Sequence, residues 1–124
     1  MRLSEFELDV MGSFWKGQEL TAPEVFKLLG VPRGVTYSTI KAIIDRLEVK
    51  GAVVRTRTEG RTIFYRAAIQ REKIRKRLVK SFLRRLYGND LRPLFAQLVG
   101  DESLGEEELS YLRQLLEENK KSPR

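Results

Sequence analysis

Apolar and polar positions along this chain follow a helical period, then an alternating one, then a helical one again. Leu8, Met11 and Trp15 recur at helical spacing with Val10 and Phe14 beside them, which predicts a helix from about Ser4 to Trp15 with one wide face in the core. Ser4 and Glu7 are spaced as a capping box, and Leu3 and Leu8 stand where a hydrophobic staple would close around it. Thr21 and Glu24 repeat the device between Leu20 and Val25 and open a second, shorter helix expected to end near Leu29. Pro23 suits its first turn, where an amide has no helical partner. Gly30-Val31-Pro32-Arg33-Gly34 then predicts a turn between helices. Thr36 is the natural N-cap of a third helix, with Ile40, Ile43, Ile44 and Leu47 as a narrow buried stripe and Lys50-Gly51 as its end.

From Val53 the period becomes alternating. Arg55, Thr56, Arg57 and Thr58 lead to Glu59-Gly60 and on to Arg61-Thr62-Ile63-Phe64-Tyr65-Arg66, the pattern of a β-hairpin around a glycine turn. Helical spacing returns from about Gln70 to Tyr87, where Ile74, Leu78, Phe82 and Leu86 form a stripe on a strongly basic helix ended by Gly88-Asn89-Asp90. A short helix follows with Leu94, Phe95 and Leu98, then one from about Gly105 with Leu109, Leu112, Leu115 and Leu116, whose start at Glu106, Glu107 and Glu108 suits the helix dipole. Glu102, Glu106 and Glu107 could be pictured as metal carboxylates, but an acidic helix start accounts for them without a metal.

Three short helices followed by a basic hairpin is the order of a winged helix-turn-helix. The expected fold is therefore mainly α with a small β-hairpin wing, a DNA-binding domain over residues 1–69 and a helical segment over 70–124. Helices as short as the last three cannot enclose a core alone. Ile74, Leu78, Phe82, Leu86, Leu94, Phe95, Leu98, Leu109, Leu112 and Leu116 are accordingly expected to pack against a second copy, making a homodimer.

Charge sharpens this picture. The chain has 124 residues and a net charge of +7, and residues 33 to 92 hold most of its Lys and Arg while both ends are acidic. A basic centre of this kind implies an anionic partner, nucleic acid foremost. Cysteine and histidine are both absent, which removes disulfides, thiolate and imidazole metal sites and the usual nucleophile and general base. No glycine-rich phosphate loop is present either, so an enzyme is not expected, nor a cofactor or metal. With no apolar run long enough to span a bilayer and no signal-peptide pattern at Met1, a cytoplasmic protein is expected.

A helix that enters the major groove reads base edges with small polar and cationic side chains near its N-terminus. Thr36, Tyr37, Ser38, Thr39 and Lys41, with Arg46, fit that role on the third helix. Ser38 and Thr39 have a plainer use in finishing the helix cap. Asp45 would face phosphate unless Lys41 or an arginine neutralises it. On the hairpin, Arg55, Arg57 and Arg61 are placed to follow a phosphate backbone, or Arg61 to enter a minor groove. The plainer use is a charged edge strand that resists aggregation. A winged-helix module that docks an acidic protein partner through its basic helix is the competing reading, distinguished by the lack of any operator preference.

Leu3-Ser4-Glu5 through Met11 and Trp15, Tyr37-Ser38-Thr39-Ile40-Lys41 with Asp45-Arg46-Leu47 and Lys50-Gly51, Glu59-Gly60-Arg61 with Tyr65, and Leu104-Gly105-Glu106-Glu107-Glu108-Leu109 stand in the order and spacing of one family. The chain resembles the BlaI/MecI penicillinase repressors, which also include the CopY copper repressors, over nearly its whole length. The resemblance implies a repressor whose homodimer binds a palindromic operator in double-stranded DNA, with half-sites a whole number of helical turns apart. It also implies release by a regulatory protease in members that control antibiotic resistance. The corresponding position here is Gln97-Leu98, in place of the Asn-Phe of those members. Copper sensing through the cysteine cluster of the copper branch is excluded, since no cysteine is present.

Overall fold

Both capping boxes form. In the computed structural model, which describes residues 1–101 and 103–121, Ser4 caps α1 (Glu5–Lys16). Its hydroxyl accepts from the Glu7 amide at 3.1 Å, and the Glu7 carboxylate accepts from the Ser4 amide at 2.8 Å. Thr21 and Glu24 repeat this arrangement at the start of α2 (Ala22–Val25). Each such cap contributes about 1 kcal/mol, enough to set where a short helix begins.

The second helical segment does not stop near Leu29 as the glycines and proline suggest. A π-helical turn (Phe26–Gly30) and α3 (Val31–Arg33) carry the path on through Pro32, and the break comes at Gly34, whose φ of +70° needs a glycine. Pro32 has no amide to give, and its ring crowds the preceding turn. The wider turn, in which the Val31 amide donates to the Phe26 carbonyl, makes room for it. Gly30 is needed for close approach, because a Cβ there would lie 2.5 Å from the Phe26 ring and 3.0 Å from Ile40. Gly30→Ala is expected to cost about 1 to 3 kcal/mol by overpacking. It should show as a lower urea midpoint at unchanged slope.

Thr36 caps α4 (Tyr37–Val49) as the sequence implies, its hydroxyl accepting from the Thr39 amide at 3.2 Å. The sheet has the order β1-β3-β2, from β1 (Leu20–Thr21), β2 (Val53–Glu59) and β3 (Thr62–Ala67), all antiparallel. The two-residue β1, too short to leave a period in the sequence, ties the start of α2 to the wing. Gly60, at φ +61°, makes the wing turn, and a bulge between Arg55 and Arg57 leaves Thr56 unpaired in the register.

One core joins these elements. Val10, Met11 and Phe14 of α1 meet Ile40, Ile43, Ile44 and Leu47 of α4, with Val53 and Tyr65 from the hairpin. Trp15, expected in the core, lies at its edge. It is partly buried, its indole N–H donates to the Ile69 carbonyl at 2.8 Å, and Arg71 stacks over its ring. An amphipathic indole needs such a partner for its one donor. Glu7 is only 4% exposed, and Lys50 at the end of α4 spans both of its carboxylate oxygens at 2.8 and 2.9 Å while also donating to the Arg2 carbonyl.

These elements form a compact unit over Met1–Arg77; a second covers Leu78–Arg124. The division falls within α5 (Arg71–Tyr87). Ile74, on the first side of it, is buried in the single chain at 4% exposure. In the second unit Leu78, Phe82 and Leu86 are exposed, as are Phe95 and Val99 of α6 (Arg92–Gly100) and Leu112 and Leu116 of α7 (Glu106–Lys121). An apolar cleft of about 560 Å³ opens between α6 and α7, lined by Phe95, Leu98, Leu104, Tyr111 and Leu112 among others. Among the described residues no helix is long and apolar enough to cross a membrane, and no acidic cluster could hold a metal; Glu102 lies outside them.

Candidate nucleic-acid interface

The first two turns of α4 carry every small polar side chain that the sequence singles out, and all of them face outward. The Thr36 Oγ1 lies 3.0 Å from both the Ser38 and the Thr39 hydroxyls, so the three form one exposed cluster at the helix start. The capping use and the reading use thus fall on the same atoms: a hydroxyl bonded to another hydroxyl can turn to a base or phosphate without leaving a buried group unpaired. Tyr37 is 42% exposed, its ring packed edge-on against Phe26 at 5.9 Å. The π-helical turn that admits Pro32 thereby also sets the platform for Tyr37. Arg46 is exposed further along α4.

Lys41 is anchored rather than free. Its ammonium donates to the Asp45 carboxylate at 2.6 Å, and the side chain is one-third exposed. That bond holds the Lys41 pKa above its ordinary 10.5, against the opposing effect of burial. Asp45 is therefore neutralised as the sequence requires, but only while Lys41 stays beside it.

The wing arginines are likewise paired, with acids that sequence reasoning did not connect to them. Arg55 donates to Glu48 at the end of α4, at 2.7 and 3.3 Å. Arg57 donates to Glu19 at 2.9 Å and to Glu59, and its guanidinium lies 3.7 Å from the centroid of the Phe64 ring. The Thr56 hydroxyl donates to the same Glu19 carboxylate, and these two donors hold its pKa below the ordinary value. Glu19 is 38 residues from Arg57 in sequence and reaches it through the β1–β3 pairing; Glu48 is seven residues from Arg55 and reaches it through the turn after α4. Arg61, at the wing tip, has no salt bridge among the described residues.

The start of α4 and the wing also share a cleft. A narrow cleft of about 120 Å³ is lined by Tyr37 and Lys41 of α4, by Pro23 of α2, and by Arg61, Ile63 and Tyr65 of the wing. Two cations from separate elements thus share one outward-facing groove with the capped start of a helix, a concentration of positive potential suited to a polyanion.

Residues 3–118 match the model of the penicillinase repressor family. The chain belongs to that family. It is similar to the penicillinase repressor of Staphylococcus aureus, with 30% identity covering 94% of this chain and 91% of that protein. It is similar also to the penicillinase repressor of Bacillus licheniformis, with 32% identity covering 96% of this chain and 92% of that one. Penicillinase repressors are transcriptional repressors and not enzymes, in keeping with a chain that lacks cysteine and histidine, and membership does not favour a module for an acidic protein partner. Solved structures confirm the winged-helix fold. The YusO protein of Bacillus subtilis matches with a TM-score of 0.52 at 20% identity, over 97% of this chain and 76% of that one. A mutant of MarR from E. coli matches with a TM-score of 0.50 at 20% identity, over 94% of this chain and 76% of that one.

Proposed function

We propose that this repressor binds double-stranded DNA as a homodimer, with α4 of each copy in the major groove and each wing along the backbone at the two halves of a palindromic operator. The observation that carries this reading is the meeting of Lys41 and Arg61 in one groove beside the capped start of α4. A groove-reading helix needs its small polar side chains at its N-terminal end and cations to either side for phosphates. Ser38 and Thr39, flanked by Tyr37 and Lys41, supply the first, and Arg46, Arg55, Arg57 and Arg61 the second, while the Thr36 hydroxyl at the cap can donate to a phosphate.

The dimer is supported by the second unit. Phe82, Leu86, Phe95, Val99 and Leu116 are each at least 47% exposed in the single chain, and Phe95 and Val99 line an apolar cleft. A patch of this kind is rarely left open to water on a monomer. A second copy placed two-fold would cover it and set the two reading helices at whole-turn spacing, ~34 Å or a multiple. Gln97 is exposed on α6 and Leu98 lines the cleft, so a regulatory protease cutting between them would break the dimer surface from within.

The test is selection of duplexes from a random-sequence library by the purified full chain at about 150 mM salt, a concentration at which non-specific phosphate binding is already weakened, followed by footprinting. Two equivalent protected half-sites are expected. Enrichment no better than that of a scrambled duplex would overturn the reading.

A further inference from the structure

Tyr65 is the largest fully buried side chain of the chain, and its hydroxyl oxygen is the one buried side-chain polar atom without a hydrogen-bond partner among the described residues. A buried phenol ordinarily finds a partner, because an unpaired hydroxyl in the interior loses its bonds to water and gains nothing. Its ring is well held, edge-on to Phe14 at 6.5 Å, and its backbone pairs with Leu20 on one side and Arg55 on the other. A phenylalanine would serve that packing as well. The hydroxyl therefore needs a different explanation.

The cleft between α4 and the wing supplies one. Tyr65 lines it together with Lys41; the Asp45 bond raises the Lys41 pKa most, burial opposes it, and the charge and hydrogen-bonding capacity of the Tyr65 hydroxyl add to the rise, although no hydrogen bond joins the two side chains in the free protein. Lys41 has three protons to donate and in the free protein places one on Asp45. Asp45 is exposed on the same outward face, where DNA phosphates would oppose it. A lysine that turns from Asp45 towards base edges needs a second anchor, and Tyr65, a residue lining the same cleft, carries a buried hydroxyl without a hydrogen-bond partner among the described residues.

We propose that Tyr65 is a positioning residue for DNA reading: on the operator, Lys41 exchanges Asp45 for the Tyr65 hydroxyl, which fixes its ammonium against base acceptors in the major groove. This rests on the reading of α4 given under Proposed function. Tyr65 itself touches no DNA; it acts through Lys41.

A double-mutant cycle on the library-selected duplex tests it, using full-length parent, Tyr65→Phe, Lys41→Ala and the double variant. Tyr65→Phe is expected to bind that duplex about five- to tenfold more weakly, as for loss of one hydrogen bond of ordinary net strength. It should bind a scrambled duplex as the parent does, and lose nothing further once Lys41 is Ala. Its urea midpoint should be equal to or above the parent's, since it discards only an unpaired hydroxyl. Tyr65→Phe binding as tightly as the parent, weakening binding equally with and without Lys41, or unfolding at lower urea would each overturn the proposal while leaving the reading of α4 intact. Lys41→Ala binding as tightly as the parent would overturn both.

Discussion

Lys41→Ala is expected to weaken binding to the selected duplex by about ten- to a hundredfold, the range for losing one good base contact, while leaving the fold unchanged. The fold should be indifferent because Lys41 forms its ion pair with Asp45, and an exposed i,i+4 pair of this kind stabilises a helix by a few tenths of a kcal/mol. The effect on DNA is larger for two reasons. A cation is lost from the groove-facing side, and Asp45 is left uncompensated where phosphates approach. Asp45→Asn should accordingly move the other way and tighten binding, most of all at low salt. Fluorescence anisotropy on selected and scrambled duplexes separates two roles for Lys41. A base contact predicts loss on the selected duplex alone; a phosphate contact predicts equal loss on both and a salt slope smaller by about one. Unchanged binding to both would remove Lys41 from the interface.

Glu7→Ala is expected to be the most destabilising single change at a polar position, by about 2 to 4 kcal/mol in urea unfolding. The Glu7 carboxylate closes the capping box of α1 and accepts two bonds from Lys50, and its side chain is 5% exposed against 34% for Lys50. Removing it leaves the Ser4 amide without its cap and the Lys50 ammonium without its carboxylate, with only the Arg2 carbonyl to accept from it. The same site gives a pH signature. Burial raises the Glu7 pKa, but Lys50 and the Ser4 amide and hydroxyl together lower it more, so in the folded protein it lies below its ordinary 4.5. The folded state therefore holds this carboxyl proton less readily than the unfolded state. The stabilisation is complete above about pH 5, and declines as pH falls through the unfolded value towards the folded one. Glu7→Gln should flatten that part of the stability curve. An unchanged acid limb would show that other carboxylates govern it.

How legible this was in the sequence depends on the range of the signal. Ser4–Glu7, Thr21–Glu24 and the Thr36 cap are local patterns with local causes, and the structure forms all three. The Ile40, Ile43, Ile44 and Leu47 stripe and the glycine turn of the wing were equally readable, since periodicity and turn chemistry are properties of a few adjacent residues. Pro32 misled because a proline usually ends a helix, and only the packing of Phe26 against Gly30 and Ile40 shows how a widened turn can tolerate it. The ion pairs were not readable. Glu19, Glu48 and Glu7 find their cations through strand pairing and helix docking, which no spacing rule records. Tyr65 stood in the wing pattern, yet nothing in that pattern tells a buried phenol from an exposed one.

The paired state of Arg55 and Arg57 has a bearing on how an operator is found at all. A repressor must sample a great many wrong sequences, and each visit lasts as long as its unspecific grip. With two wing guanidiniums already occupied by Glu48, Glu19 and Glu59, a random duplex must first displace those acids, and it gains little by doing so. If the wing lies along the backbone as proposed, visits to the wrong address would therefore be short. On the proposed mode of binding, only a sequence that also satisfies the side chains of α4 would return enough to make the exchange worthwhile, so the internal neutralisation of the wing would shorten the search and widen the gap between right and wrong sites.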